Sequence, residues 1–251
     1  MTKTAKTRNK KTLPKAAAEP KPAAPETPAD MNLLRQLTIF DPEKFAAERI
    51  DVIGVGATGS YAVWFLAKIG MQNIHVWDDD TIESHNVPNQ LYFMDQVGLK
   101  KVDALAENIK RATGVVIKTH SVRFEGQEPL GKHVFLLVDT MAGRKMIWDK
   151  SIKMKLNVST LVETRISSDQ GRVYILSPFN INHVRKWEAT LCSDDEAEVS
   201  LCGTVPSIVT TASFIAAAAV WQFIKWLTAR ETAENEAIIG LRPMSVYVRN
   251  F

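Results

Sequence analysis

Only two cysteines, Cys192 and Cys202, occur in the 251 residues, and the five histidines are scattered. A four-coordinate structural zinc needs clustered ligands that this spacing does not supply, so no zinc is expected. A Cys192–Cys202 disulfide is chemically possible, but nothing suggests an oxidising compartment, and the protein reads as cytoplasmic. Large apolar residues are scarce in the first 30 positions, which are rich in Lys, Ala, Pro and Thr. Such a segment cannot bury enough surface to fold, so residues 1–30 are expected to form a disordered basic tail. It lacks a continuous apolar stretch, which excludes a secretory signal, and its few arginines and its acids argue against a mitochondrial presequence. Strong net charge is missing as well. The tail holds seven basic and three acidic residues, the whole chain is +3, and the remainder is therefore close to neutral. The folded part is not expected to bind nucleic acid. One long run without charge exists, Ser207 to Ile224, but Thr210, Thr211, Ser213, Gln222 and four consecutive alanines keep its hydrophobicity modest. It reads as a buried helix, and no membrane span is expected.

With 45% hydrophobic residues, residues 31–251 can form one domain with a real core. Ile50 to Val55 is a short β-branched run suited to a strand buried on both faces. Gly54, Gly56 and Gly59 follow as a G-x-G-x-x-G turn. Ala62, Val63, Phe65, Leu66 and Ile69 then recur at helical spacing, and Gly70 sits where the helix should stop. In this context Gly54 permits a tight turn, Gly56 lets a phosphate approach the backbone, and Gly59 lets helix and strand pack closely. Free N–H groups and the helix dipole face the phosphates. Asn73 to Trp77 is a second strand, ending in Asp78, Asp79 and Asp80. Asp78 lies roughly 20 residues past the glycines, where an acid commonly grips a ribose hydroxyl.

Further along, Val102 to Arg111 predicts a helix, Val115 to His120 a strand, Val134 to Val138 a strand, and Ala142 to Leu156 a helix. Val158 to Arg165 and Gly171 to Leu176 predict strands about a turn at Asp169-Gln-Gly171, followed by a long loop to Cys202. Leu241 to Val248 predicts a final strand. The fold class is α/β: Rossmann-like, with a mainly parallel sheet flanked by helices.

Several spaced motifs, from about Arg35 to Leu227, resemble the ThiF/MoeB/HesA family, the bacterial relatives of ubiquitin-activating enzymes. They are Arg35-Gln36, Gly54-Val-Gly-Ala-Thr-Gly-Ser60, Asp78-Asp-Asp-Thr-Ile-Glu-Ser-His-Asn86, Pro88-Asn89-Gln90, Gly98-Leu-Lys-Lys101 and Asp139-Thr-Met-Ala-Gly-Arg144. Two departures stand out. Ala57 replaces a family glycine, and Asn89 replaces a family arginine that contacts the ATP phosphates; Lys100 and Arg123 are candidate substitutes for its charge.

The resemblance implies an ATP-dependent adenylyltransferase that activates the C-terminal carboxylate of a ubiquitin-like or sulfur-carrier protein. It implies ATP contacts from Gly54, Gly56, Ala57, Thr58, Gly59, Asp78 and Asp80, with Asn86 and Gln90 orienting phosphate oxygens. Lys101 would neutralise the phosphates, and Asp139 would hold Mg²⁺. Arg35 would enter the ATP site of a neighbouring subunit, which implies a homodimer. Cys202, shortly before Pro206 and a long apolar run, is a candidate thiol acceptor for the activated carboxyl, with a plain loop cysteine as the other reading. Cys192 sits beside Ser-Asp-Asp-Glu, where acids disfavour a thiolate. Two further readings stay open. One is a ThiF-like binding module with altered catalysis, suggested by Ala57 and Asn89. The other is an NAD- or FAD-dependent oxidoreductase, which leaves Asn86, Gln90, Lys101 and Asp139 unexplained.

Overall fold

In the computed structural model, which describes Met1, residues 31–193 and residues 207–251, the β-branched run becomes β1 (Ile50–Ile53), buried along its whole length. It lies inside one eight-stranded sheet. β2 (Ile74–Trp77), β3 (Lys118–His120), β4 (His133–Leu136) and β5 (Thr160–Ile166) join it in the order β3-β2-β1-β4-β5, all parallel. β6 (Gln170–Leu176), β7 (Glu236–Leu241) and β8 (Met244–Arg249) extend the sheet as an antiparallel meander. Four of the seven pairings are parallel, as the mainly parallel expectation required. The order reverses between β1 and β4, and in open sheets of this kind the crevice beyond the carboxyl ends of such strands is where ligands bind.

Helices cover both faces. α1 (Ala57–Lys68), α2 (Lys101–Thr113) and α5 (Val209–Thr228) pack on the face that carries Val52, Val76, Phe135 and Val162. Small residues at Ala212, Ala216 and Ala219 let α5 lie close to the sheet and α1. The other face carries Ile53, Trp77, Val134 and Leu136 beneath α3 (Met141–Ile147) and α4 (Ile181–Glu188). No helix among the described residues is long and apolar enough to cross a membrane.

Three expectations need correction. Residues 142–156 do not form one helix: α3 ends at Ile147 and a wider π turn, Trp148–Ile152, follows. The stretch after β6 is not all loop, because Asn180 caps α4 with its side chain, and Val184 and Trp187 anchor that helix. The expected final strand appears as β8, beginning at Met244 rather than Leu241, and an unexpected strand, β7, precedes it and pairs with it across a turn at Arg242-Pro243. The expected tail, residues 2–30, lies outside the described residues.

Candidate nucleotide-binding site

The glycine turn joins β1 to α1, and each glycine has its own steric setting. Gly54 adopts φ +90°, and a Cβ there would sit 2.7 Å from the carbonyl oxygen of Leu137. A Cβ on Gly59 would come within 2.0 Å of the Gly54 carbonyl oxygen. Both glycines are therefore demanded by the protein's own packing. Gly56 differs: the nearest atom to its Cβ position is Gln90 Nε2, at 4.0 Å. Open space above a glycine is what close approach by a phosphate requires. Gly56 is also the N-cap of α1. It has no side chain to satisfy the N–H groups of Ala57, Thr58 and Gly59, which leaves them for an anion.

Asp78 follows β2 directly. Its Oδ2 accepts from the Val55 N–H at 2.9 Å, and its Oδ1 from the Asp80 N–H at 2.9 Å. Burial raises its pKa, and the two backbone donors and Lys101 work against that rise. Each carboxylate oxygen keeps a lone pair for a further donor such as a ribose hydroxyl. Lys101 opens α2 with its side chain buried, and its Nζ lies 2.6 Å from Asp80 Oδ2. Lys100 is turned to the Asp79 carbonyl oxygen at 2.6 Å, while Arg123 is exposed beyond β3.

Asn86 accepts from the Glu83 N–H at 2.9 Å, so the amide nitrogen is what it has left to offer. Asn86 also starts a turn in which Asn89 and Gln90 both bond back to its carbonyl oxygen. That turn carries Gln90 to the open side of Gly56. The Asn89 amide nitrogen donates to Ser207 Oγ at 2.5 Å, just before α5. The side-chain amide oxygens of Asn89 and Gln90, Oδ1 and Oε1, are buried and without a hydrogen-bond partner.

Asp139 is exposed just past β4. The chain approaching it is bonded to β1 through Leu137 N–H and Ile53 O at 2.8 Å, so Asp139 and the glycine turn flank the reversal of strand order. Arg144, buried, donates to the Val138 carbonyl oxygen at 2.6 Å and to Thr164 O at 3.2 Å, and pairs with Glu163. This corner is thereby locked. Burial lowers the Arg144 pKa and the Glu163 charge opposes that. The sequence motif contained Arg144, but its bracing role came only from the fold.

The other candidates lie apart. Arg35 is exposed, and its neighbour Gln36 donates to Ile69 O at 2.7 Å, at the far end of α1. A 12-residue helix is about 18 Å long, so Arg35 does not reach the glycine turn of its own chain. A cavity of about 310 Å³ lies there, between Met31, Asn32, Leu33, Arg35, Gln36 and Lys68. Another, of about 280 Å³, adjoins the Asp139 corner between Met141, Ala142, Lys145 and residues 191–193, and includes the exposed thiol of Cys192. Cys202 lies outside the described residues.

A parallel sheet with a glycine turn at its reversal point, an acid after β2 and an acid after β4 defines an α/β protein of Rossmann-like type. Within that class the chain belongs to the ThiF family, whose model matches residues 32–249. It is 33% identical over 104 residues to ubiquitin-like modifier-activating enzyme 5 of Drosophila mojavensis, covering 41% of this chain and 26% of that protein. Against the enzyme 5 of Drosophila simulans it is 27% identical over 139 residues, covering 55% of this chain and 33% of that protein. The matches thus span about a quarter to a third of those relatives' length. Among solved structures it is similar to PaaA, with TM-score 0.62, 17% identity, and coverage of 83% of this chain and 65% of that one. It is also similar to E. coli MccB crystallised with ATP, with TM-score 0.61, 13% identity and the same coverages. At these identities the likeness is one of fold.

Proposed function

We propose that the chain is an ATP-dependent adenylyltransferase acting on a C-terminal carboxylate of a ubiquitin-like or sulfur-carrier protein. The observation that carries this reading is Gly56, a glycine with no packing reason to be one, open toward Gln90 at the head of α1. The relatives named for activating ubiquitin-like modifiers support the substrate class. A neighbour in fold, E. coli MccB, has been solved with ATP and, separately, with AMPCPP and MccA, so a fold of this kind can hold the nucleotide.

In the reaction, a carboxylate oxygen attacks the α-phosphorus of ATP. The bond from that phosphorus to the bridging oxygen of the β-phosphate breaks, releasing pyrophosphate and leaving the acyl-adenylate. No side-chain nucleophile is needed; positioning and charge balance do the work. The turn N–H groups and Gln90 Nε2 would hold phosphate oxygens, and Asp78 the ribose. The local acids Asp78, Asp79, Asp80 and Asp139 outnumber the local cations Lys100 and Lys101. A polyphosphate therefore needs added positive charge. Mg²⁺ fits the exposed carboxylate of Asp139, a hard oxygen donor of the kind that binds it beside substrate phosphates; it would supply charge neutralisation. Arg35 of a second copy would add the other cation, making the working unit a homodimer. A thiol acceptor at Cys202 would act only after adenylation.

The test is ATP–pyrophosphate exchange with candidate carrier proteins, and Asp139→Ala should lower it by about 10²-fold or more in a folded protein. Near-normal exchange in that variant removes Asp139 from the reaction. ATP with Mg²⁺ should raise the melting temperature and NAD(H) should not; the reverse result makes the protein an oxidoreductase. The second reading, a binding module, draws on Asn89, which stands where the family has arginine and is turned to Ser207. ATP binding without exchange for any carrier tested would favour it.

A further inference from the structure

Val55 lies between Gly54 and Gly56, where flanking glycines leave the backbone permissive. It is nevertheless held on both sides. Its N–H donates to Asp78, and its carbonyl oxygen accepts from the Tyr92 hydroxyl at 2.8 Å. Tyr92 is 4% exposed, so its hydroxyl is shut off from the cleft and bears on it through Val55. Burial and the charges of Asp78 and Asp80 push the phenol's pKa well up, which keeps it a donor.

The residues around Tyr92 are anchored in turn. The Leu91 N–H donates to Ser60 Oγ on α1 at 3.1 Å. Asn108 on α2 donates to Leu91 O at 3.1 Å and exchanges hydrogen bonds with the Gln96 amide at 2.8 and 3.1 Å. Both amides are buried. α2 thus holds residues 91–96, and they hold the glycine turn.

We infer that Tyr92 is a positioning residue for nucleotide binding: with Asp78 it clasps the Val55 peptide and fixes the turn that receives the phosphates. The inference deepens the adenylation reading and rests on it for its kinetic arm. A turn that is already ordered loses little entropy when ligand arrives, so releasing it weakens nucleotide binding more than it slows chemistry.

The experiment uses the full-length chain and Tyr92→Phe, which removes only the hydroxyl. Two things are measured: amide hydrogen exchange at residues 54–59, and the kinetics of pyrophosphate exchange. Exchange at the turn should quicken about tenfold, the scale of one lost buried hydrogen bond. KM for ATP should rise about tenfold, with kcat at saturating ATP within twofold. Unchanged hydrogen exchange at the turn, or a faster turn with unchanged KM, overturns the inference. If wild-type protein neither binds ATP nor exchanges pyrophosphate, the adenylation reading falls, and hydrogen exchange alone decides whether Tyr92 sets the turn. If Tyr92→Phe does not fold, Ser60→Ala loosens Leu91 instead; a smaller rise in the same direction supports the clasp, and no change overturns it.

Discussion

His75 and His120 meet across β2 and β3, Nδ1 to Nε2 at 3.2 Å, with ring planes 20° apart and centroids at 5.4 Å. That centroid spacing is close to the N–N distance extended by a ring radius at each end. The two rings are thus within reach of a single N–H···N hydrogen bond, while His120 stacks on Trp77 at 3.6 Å. Burial, then Arg49, lowers the His75 pKa from 6.5 to about 4, with Lys118 and His120 adding to this and Asp51 opposing it. The unfolded chain takes this proton near 6.5 and the folded chain only near 4, so acid favours unfolding between those values. The contribution is complete above about pH 6.5 and is lost as pH falls toward 4. The melting temperature should drop over that window, and His75→Gln should flatten the drop. An equally steep acid profile in His75→Gln would assign the effect elsewhere.

At the scale of the element, the strand–turn–helix unit separates two uses of glycine. Gly59 is required by the backbone it touches, whereas Gly56 is left open. Gly59→Ala should cost about 1–3 kcal/mol through overpacking against the Gly54 carbonyl. In a chain of this size that is a fall of roughly 2–12 °C in melting temperature. Gly56→Ala should change the melting temperature little and yet weaken ATP binding, because its methyl enters the space reserved for phosphate. Differential scanning calorimetry beside ATP titration reads both effects. A Gly56→Ala protein that binds ATP normally would remove the glycine from the phosphate site.

For the whole molecule the decisive distance is the length of α1, which separates Arg35 from the glycine turn. If Arg35 serves catalysis as proposed, it does so at a neighbour's site. Mixing inactive Arg35→Ala with inactive Asp139→Ala should therefore restore part of the exchange activity, since one site in each hybrid dimer would be whole. A strictly monomeric protein with full activity, or mixtures that stay inactive, would exclude the arrangement. Removing residues 1–30 should leave melting temperature and ATP binding almost unchanged, because so polar and proline-rich a segment has little to add to a core. A fall of many degrees would mean that the tail docks.

The amino-acid sequence by itself determined what depends on neighbours along the chain. The β-branched run, the glycine turn, the helix ending at Gly70 and the acids after the strands are local patterns with local causes, and the motifs beyond them were legible in order. α4 was missed because only Val184 and Trp187 anchor it, too few for periodicity to reveal, although Asn180 was a readable cap. β8 was legible in the sequence, but its partner β7, a six-residue run joined to it by a short turn, was not. Tertiary structure alone decided the rest. Lys101 finds Asp80 from 21 positions away, Arg144 braces the Asp139 corner, and Tyr92 reaches Val55 from 37 positions away. Such partners are chosen by the crossover of strands and the packing of helices on the sheet, which bring together residues whose spacing in the chain carries no period to read.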